Sequence, residues 1–191
     1  AAGMAVVIVR ESWLTSTAVH PMCPQVLDYR KTAGGRMPTP SIFQSLPNTP
    51  PIFAAYMLGL VLDDLGARGG LAAVEGEVKA KAAKVYNAID DSGGFYYNGV
   101  DKAYRSQMNA PFRIGTAADG TPGDRALERA FVEEAAAEAG CHYLFGHPVK
   151  GGVRVTMYVG QTEAAIDAVV AFMKAFAAKH KGAPPQTWSR L

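Results

Sequence analysis

The sequence predicts an α/β fold in which helices cover one face of a small antiparallel sheet. Two observations lead to this prediction. From residue 71 onward, apolar positions at helical spacing alternate with short apolar runs typical of strands, and cap and turn residues separate these segments. The 191 residues are 49% hydrophobic and 19% charged, which is sufficient for one good core or two small ones. The composition therefore indicates a globular chain with an α+β unit in its second part.

The first part, residues 1–68, follows a different pattern. The β-branched run from Val6 to Arg10 predicts a buried strand. From Thr15 to Pro47 the chain is rich in proline and has no periodic run, so a long loop is expected. Because structureless loops of this length are uncommon inside compact domains, we expect this one to lie on another surface.

An apolar helix is predicted from Ile52 to Leu65. Asn48 or Thr49 is the expected cap, and the two prolines that follow fit the first helical turn. Unpaired N–H groups and the positive end of the helix dipole favour an anion at such an end. Most capped helix ends bind only water, so this segment by itself allows both a plain cap and a phosphate site.

The second part, residues 69–181, is predicted to be a self-sufficient α+β unit. Its first helix is expected from Leu71 to Ile89, where apolar residues recur at helical spacing. The elements expected after it are strands near Phe95–Tyr97 and Gln107–Ile114, a helix capped by Thr121 and ending at Gly140, strands at Cys141–Phe145 and Val153–Tyr158, and a helix capped by Thr162 that ends near His180. Residues 182–191 are predicted to form a loosely held tail.

Charge and cysteine content exclude several classes of function. A net charge of +2, with the basic residues dispersed, gives no support for nucleic-acid binding. Cys23 and Cys141 lie far apart, with no metal-ligand spacing, so neither a metal site nor a disulfide framework is expected. The longest apolar segment, Ile52–Leu62, is too short to cross a membrane. No targeting peptide is recognised, and we expect a cytoplasmic or organellar protein (mitochondrion or plastid) rather than a secreted one.

Several ordered segments carry a resemblance to a known family, among them Asn48-Thr49-Pro50-Pro51, the segment Arg105–Phe112 and the segment Gly146–Tyr158. In this order they resemble the C-terminal half of the phosphoserine aminotransferases, which are class V, fold-type I enzymes that use pyridoxal 5'-phosphate. The resemblance runs from about Gly3 to His180. It implies that residues 1–68 are a strand, loop and interdomain helix of the large cofactor-binding domain, and that residues 69–181 are the small domain.

The resemblance also implies roles for individual residues. Arg154 would bind the substrate α-carboxylate, a role suited to the planar guanidinium fork. His147 would help to hold the phosphate of phosphoserine. Asn48 and Thr49 would reach the cofactor phosphate of the partner subunit, which implies a homodimer with shared sites. The lysine that binds the cofactor covalently would precede residue 1, so no catalytic residue is assigned and this chain alone is expected to be inactive.

Departures from the family pattern leave two hypotheses open. Pro148 stands where the family usually has an arginine, and Val159-Gly160 replaces a small polar pair. In the first hypothesis, the chain is part of an enzyme of serine biosynthesis that transfers an amino group between phosphoserine and 2-oxoglutarate, with its remaining half present elsewhere or on a second chain. In the second, it is a non-catalytic, truncated relative that serves as an accessory or structural subunit of a larger assembly.

Overall fold

The computed structural model describes residues 3–16, 18–32, 49–117, 119–148 and 151–181. The chain divides into two units, residues 1–67 and 68–191. Within the described ranges, no helix has the length and apolar character needed to cross a membrane. The helices are α1 (Glu11–Ser16), α2 (Tyr29–Thr32), α3 (Ile52–Ala67), α4 (Gly70–Asp90), α5 (Arg125–Ala139) and α6 (Glu163–His180), and the strands are β1 (Tyr96–Tyr97), β2 (Asn109–Ile114), β3 (Phe145–His147) and β4 (Gly151–Thr156).

The first unit differs from the prediction in two places. The strand predicted for Val6–Arg10 does not form, and the side chains of Val6 and Ile8 are exposed. A strand needs a neighbour to pair its N–H and C=O groups, and the described residues of this unit contain no other strand. The predicted long loop also begins later, because α1 extends to Ser16, and α2 and a 3-10 turn at Gln25–Leu27 lie inside it.

The predicted apolar helix is confirmed as α3, although its start is organised differently. Pro51 supplies the carbonyl that accepts the first helical hydrogen bond, from Ala55 at 3.0 Å, and therefore occupies the cap position. Thr49 lies two residues earlier and does not cap the helix, while Asn48 lies outside the described residues. None of the residues of α3 is buried, so the apolar surface of this helix is available to another polypeptide.

The second unit contains a four-stranded antiparallel sheet in the order β1-β2-β4-β3, which confirms the predicted fold class. The last two strands are shifted from their predicted positions, Cys141–Phe145 and Val153–Tyr158. Tyr143 has a left-handed backbone (φ 62), so the chain cannot extend into a strand until Phe145. The tail, residues 182–191, lies outside the described residues.

One face of the sheet is covered by helices. α4 and α5 contact the strands, and α6 packs against both helices. Alternate residues of β2 and β4 point into this core, so Phe112, Val153 and Val155 are buried while Arg154 is exposed. Edge-to-face aromatic contacts join Phe131 of α5 to the rest of the core. The opposite sheet face is not covered by these helices.

Of the predicted caps of α5 and α6, the cap of α6 is confirmed and the cap of α5 is wrong. Thr162 caps α6 as expected, because its hydroxyl accepts the N–H of Ala165 at 3.2 Å. Thr121 does not cap α5. The cap is Asp124, whose carboxylate accepts the N–H groups of residues 126 and 127 at 2.8 and 3.3 Å, and the Thr121 hydroxyl bonds to Asp119 instead.

Candidate functional site

Arg154 lies in the middle of β4, on the sheet face that the helices leave uncovered. Its N–H donates to Leu144 O at 2.9 Å, so its backbone groups point toward β3. On its other side it faces Pro111 of β2, a position where no ladder hydrogen bond is formed and proline is therefore tolerated. Among the described residues, no group pairs with its exposed guanidinium. The side chain is thus available to an external anion.

Two other arginines of this unit are already engaged by carboxylates. Arg105 donates to both oxygens of Asp90, at 2.9 and 2.8 Å, and its guanidinium lies 4.8 Å from the centre of the Tyr86 ring. With Lys102, it holds the pKa of Asp90 at about 2. Arg113 pairs with Glu128. This contrast identifies Arg154 as an arginine whose fork remains open for a carboxylate.

Two side-chain hydrogen bonds connect the strands around Arg154 to their neighbours. Thr156 donates its hydroxyl to the side-chain oxygen of Asn109 at 3.2 Å, across the pair formed by β4 and β2. The amide of Asn98 donates to the carbonyl of Pro111 at 2.6 Å. These contacts add to the backbone pairing of β4 with β2 and β3, so Arg154 projects from a strand that is paired on both sides.

The loop that follows β4 is fixed by a buried lysine. Lys81 of α4 donates to the carbonyls of Tyr158 and Gln161 at 3.0 and 2.9 Å. Burial lowers the pKa of its ammonium group, because the charged form loses hydration. Arg68 adds a 3.4 Å contact to the carbonyl of Val159. The contacts of Lys81 therefore hold in place the loop that contains Val159-Gly160, where this chain departs from the family pattern.

His147 is the last residue of β3 and pairs with Gly151 across the turn of the β3–β4 hairpin. It is exposed, and so is Pro148 after it. The structure therefore brings His147 and Arg154 to adjacent strands of one hairpin. Lys150, the charged residue nearest to Pro148 along the chain, lies outside the described residues.

The start of β4 contacts a buried carboxylate of α5. Glu128 accepts the N–H of Gly152 through Oε2 at 3.1 Å and the Nε of Arg113 through Oε1 at 2.5 Å. Only 6% of Glu128 is exposed. The carboxylate thus joins α5, β2 and the hairpin that carries His147 and Arg154.

Thr49 belongs to the first unit and is exposed. It offers a hydroxyl donor close to the start of α3, whose first turn contains no acidic residue. Neutral donors without a nearby carboxylate suit a phosphate group. Thr49 is thus one exposed hydroxyl before α3, Asn48 lies outside the described residues, and a role of the pair in binding the cofactor phosphate stays a prediction from the resemblance.

Two further kinds of reactive group bear on function: metal-binding clusters and cysteine thiols. The described residues include no group of three or more His, Cys, Asp or Glu side chains that could hold a metal ion. Cys23 and Cys141 are free thiols, and burial raises the pKa of Cys141.

Sequence reasoning missed Lys81, Arg113 and Glu128. For Lys81 a signal was present, because it lies three residues after Val78 and four before Val85, in the apolar stripe of α4. A lysine in such a stripe requires buried acceptors. Glu128 gave no such signal, since an acidic residue in a first helical turn is ordinary.

Comparisons with known proteins identify the family of this chain. The family model of the class V aminotransferases matches residues 1–169, and the chain belongs to this family. Phosphoserine aminotransferase from Bacillus circulans subsp. alkalophilus is 38% identical, with a TM-score of 0.65 over 72% of this chain and 36% of that one. Phosphoserine aminotransferase from Trichomonas vaginalis, solved with bound pyridoxal phosphate, is 34% identical, with a TM-score of 0.69 over 82% of this chain and 40% of that one.

These similarities confirm the resemblance inferred from the sequence motifs. The fold is that of part of a phosphoserine aminotransferase, and the chain spans well under half the length of the solved structures it matches.

Proposed function

We propose that this chain carries the substrate-binding part of a phosphoserine aminotransferase site. The complete site would transfer the amino group of phosphoserine to 2-oxoglutarate, giving 3-phosphohydroxypyruvate and glutamate, or run in reverse for serine biosynthesis. The observation that carries the proposal is the open guanidinium of Arg154 on β4, a strand paired on both sides, in a chain that belongs to this family.

Each proposed binding residue has a separate task. Arg154 donates two parallel hydrogen bonds to the α-carboxylate and fixes the orientation of the substrate. His147, at the turn of the same hairpin, donates to the substrate phosphate. Asn48 and Thr49 donate to the cofactor phosphate of the partner subunit in a homodimer.

Pyridoxal 5'-phosphate, when bound, supplies the reactive carbonyl group and the electron sink that transamination requires. The lysine that binds it is supplied outside this sequence, either by the rest of a longer polypeptide or by a second chain. The uncovered apolar surface of α3 supports this arrangement, because burying it against another polypeptide contributes about 25 cal/mol per Å².

The test is a transamination assay on the native assembly that contains this chain, with phosphoserine and 2-oxoglutarate as substrates. Arg154→Lys replaces a fork with a point charge, so kcat/KM for phosphoserine should fall roughly 10- to 100-fold through loss of about 1.5–3 kcal/mol. Arg129→Lys is the matched control, since Arg129 pairs with Glu133 on the exposed surface of α5. Equal activity of the two variants would contradict the assigned role of Arg154.

A second function is favoured by Pro148. Proline offers neither a charge nor an N–H donor to a substrate phosphate, and this position usually carries an arginine in the family. A chain that keeps the fold without turnover would act as an accessory or structural subunit of a larger assembly. A native assembly that contains the chain but forms no glutamate from phosphoserine and 2-oxoglutarate would favour this alternative.

A further inference from the structure

The β3–β4 hairpin that carries His147 and Arg154 is attached to the helical layer through Glu128. The two oxygens of this carboxylate have different partners: Oε1 accepts from Arg113 of β2, and Oε2 accepts from the backbone of Gly152. The side chain is nearly fully buried. A buried carboxylate is stable only when it is paired and hydrogen-bonded, so both contacts are needed.

Arg113 is itself held between two glycines. A Cβ atom at Gly123 would clash with the guanidinium of Arg113, and one at Gly152 would lie 3.0 Å from Cδ of Arg113 and 2.9 Å from the carbonyl oxygen of Phe112. The arginine side chain therefore occupies the space between the loop before α5 and the start of β4. This packing leaves little freedom to the guanidinium and aims it at Glu128.

The attachment point determines where the binding residues lie. Gly152 follows Gly151, which pairs with His147, and precedes Arg154 by two residues on the same strand. Only Val153 separates Gly152 from Arg154, and planar peptide units with fixed bond lengths transmit a displacement of the Gly152 backbone to its near neighbours. A shift of Gly152 would therefore displace both Arg154 and the pairing partner of His147.

We propose that Glu128, oriented by Arg113, is a positioning residue that holds the β3–β4 hairpin in its ligand-binding geometry. The part that concerns ligand binding rests on the proposed function. Glu128 does not touch the substrate. It acts through the amide of Gly152, and it fixes the relative placement of the groups that bind the carboxylate and the phosphate.

The experiment uses the ¹⁵N-labelled 191-residue chain and three variants. Glu128→Ala removes both contacts. Glu128→Gln keeps an acceptor for Gly152 but loses the charge that pairs with Arg113, and it serves as the conservative variant if the alanine variant does not fold. Glu133→Ala is the control, because Glu133 is an exposed residue of the same helix, paired at the surface with Arg129.

Two quantities are measured: the amide exchange rates at residues 152–155, with Met173 of α6 as the internal reference, and the dissociation constant for O-phospho-L-serine. We expect Glu128→Ala to accelerate hairpin exchange at least 10-fold while α6 is unchanged, and to weaken ligand binding at least 10-fold. Glu128→Gln should be intermediate, and Glu133→Ala should change each quantity less than 2-fold.

A purely structural role would alter exchange in the hairpin and α6 by the same factor, and this result would overturn the proposal. Unchanged affinity for phosphoserine in Glu128→Ala would overturn it as well. If the wild-type chain binds no phosphoserine, the proposed function is contradicted, and the positioning role of Glu128 is then decided by local exchange alone. Unchanged hairpin exchange in that case would reject it.

Discussion

Replacing Lys81 with methionine tests whether α4 holds the loop that follows the strand of Arg154. The substitution removes the ammonium group and keeps a long apolar side chain. Two charge-assisted hydrogen bonds are lost, to the carbonyls of Tyr158 and Gln161 at 3.0 and 2.9 Å. Each such bond is worth about 1.5–3 kcal/mol when fully buried.

The net cost should be smaller than the sum of the two bonds. Tyr158 and Gln161 are exposed, so water can replace part of the lost donors. Methionine also relieves the desolvation that lowers the pKa of Lys81. We therefore expect a local loss of about 1–2 kcal/mol, which corresponds to a factor of roughly 5–30 in an opening equilibrium.

Amide exchange measured by NMR reports this loss residue by residue, which is appropriate for a chain of two units. The amides of Met157 and Gln161, which are bonded to the carbonyls of Met108 and Tyr158, should exchange roughly 5- to 30-fold faster. The matched control is Lys79→Met on the same helix, which removes an exposed pair with Glu75 that contributes little to stability because water screens both charges. Equal effects of the two substitutions would refute the reasoning.

Two further predictions concern stability. Asp90→Asn should reduce the loss of stability at low pH. Because the pKa of Asp90 is depressed, its pair with Arg105 stabilises the fold above about pH 4, and this stabilisation is lost as the pH falls through about 2. Urea unfolding of the core, followed by NMR, should show that the wild type loses about 1 kcal/mol more than the variant, and parallel pH profiles would contradict this prediction. Asp124→Ala should lower the free energy of unfolding of the same core by about 1 kcal/mol in urea, because it removes the cap of α5. Asp124→Asn should be nearly neutral, because asparagine can still cap the helix, and equal losses in the two variants would argue against the capping role.

The elements that sequence analysis predicted well are those whose signals are local. The helical spacing of Val74, Val78 and Val85 identified the buried stripe of α4, and Thr162 marked the start of α6. Both signals act within a few residues of the chain, so they survive whatever the rest of the molecule does.

The predictions that proved wrong depend on distant residues, or on a choice between two nearby residues that are equally suitable as caps. Val6–Arg10 has the composition of a strand, but no strand in the described part of its unit can pair with it. Thr121 and Asp124 are both good cap residues, and the difference between them lies in the loop geometry that gives Thr121 to Asp119. Local sequence does not contain this information.

The candidate site also combines features that local sequence predicts with features that depend on distant residues. Arg154 and His147 are recognisable because they lie in an ordered motif, and the structure places them on one hairpin. The role of Glu128 requires Arg113, fifteen residues before it, and Gly152, twenty-four residues after it. Contacts of this kind arise only when the helix and the strands are packed together.

The most direct test of the account is to map O-phospho-L-serine binding on the ¹⁵N-labelled chain, with L-serine as the comparison ligand. The account predicts amide shift changes concentrated at His147 and at residues 151–156, which are lost in Arg154→Lys, and weaker binding of L-serine because it lacks the phosphate. Shift changes located elsewhere, or an unchanged response in Arg154→Lys, would contradict the claim that this hairpin binds the substrate.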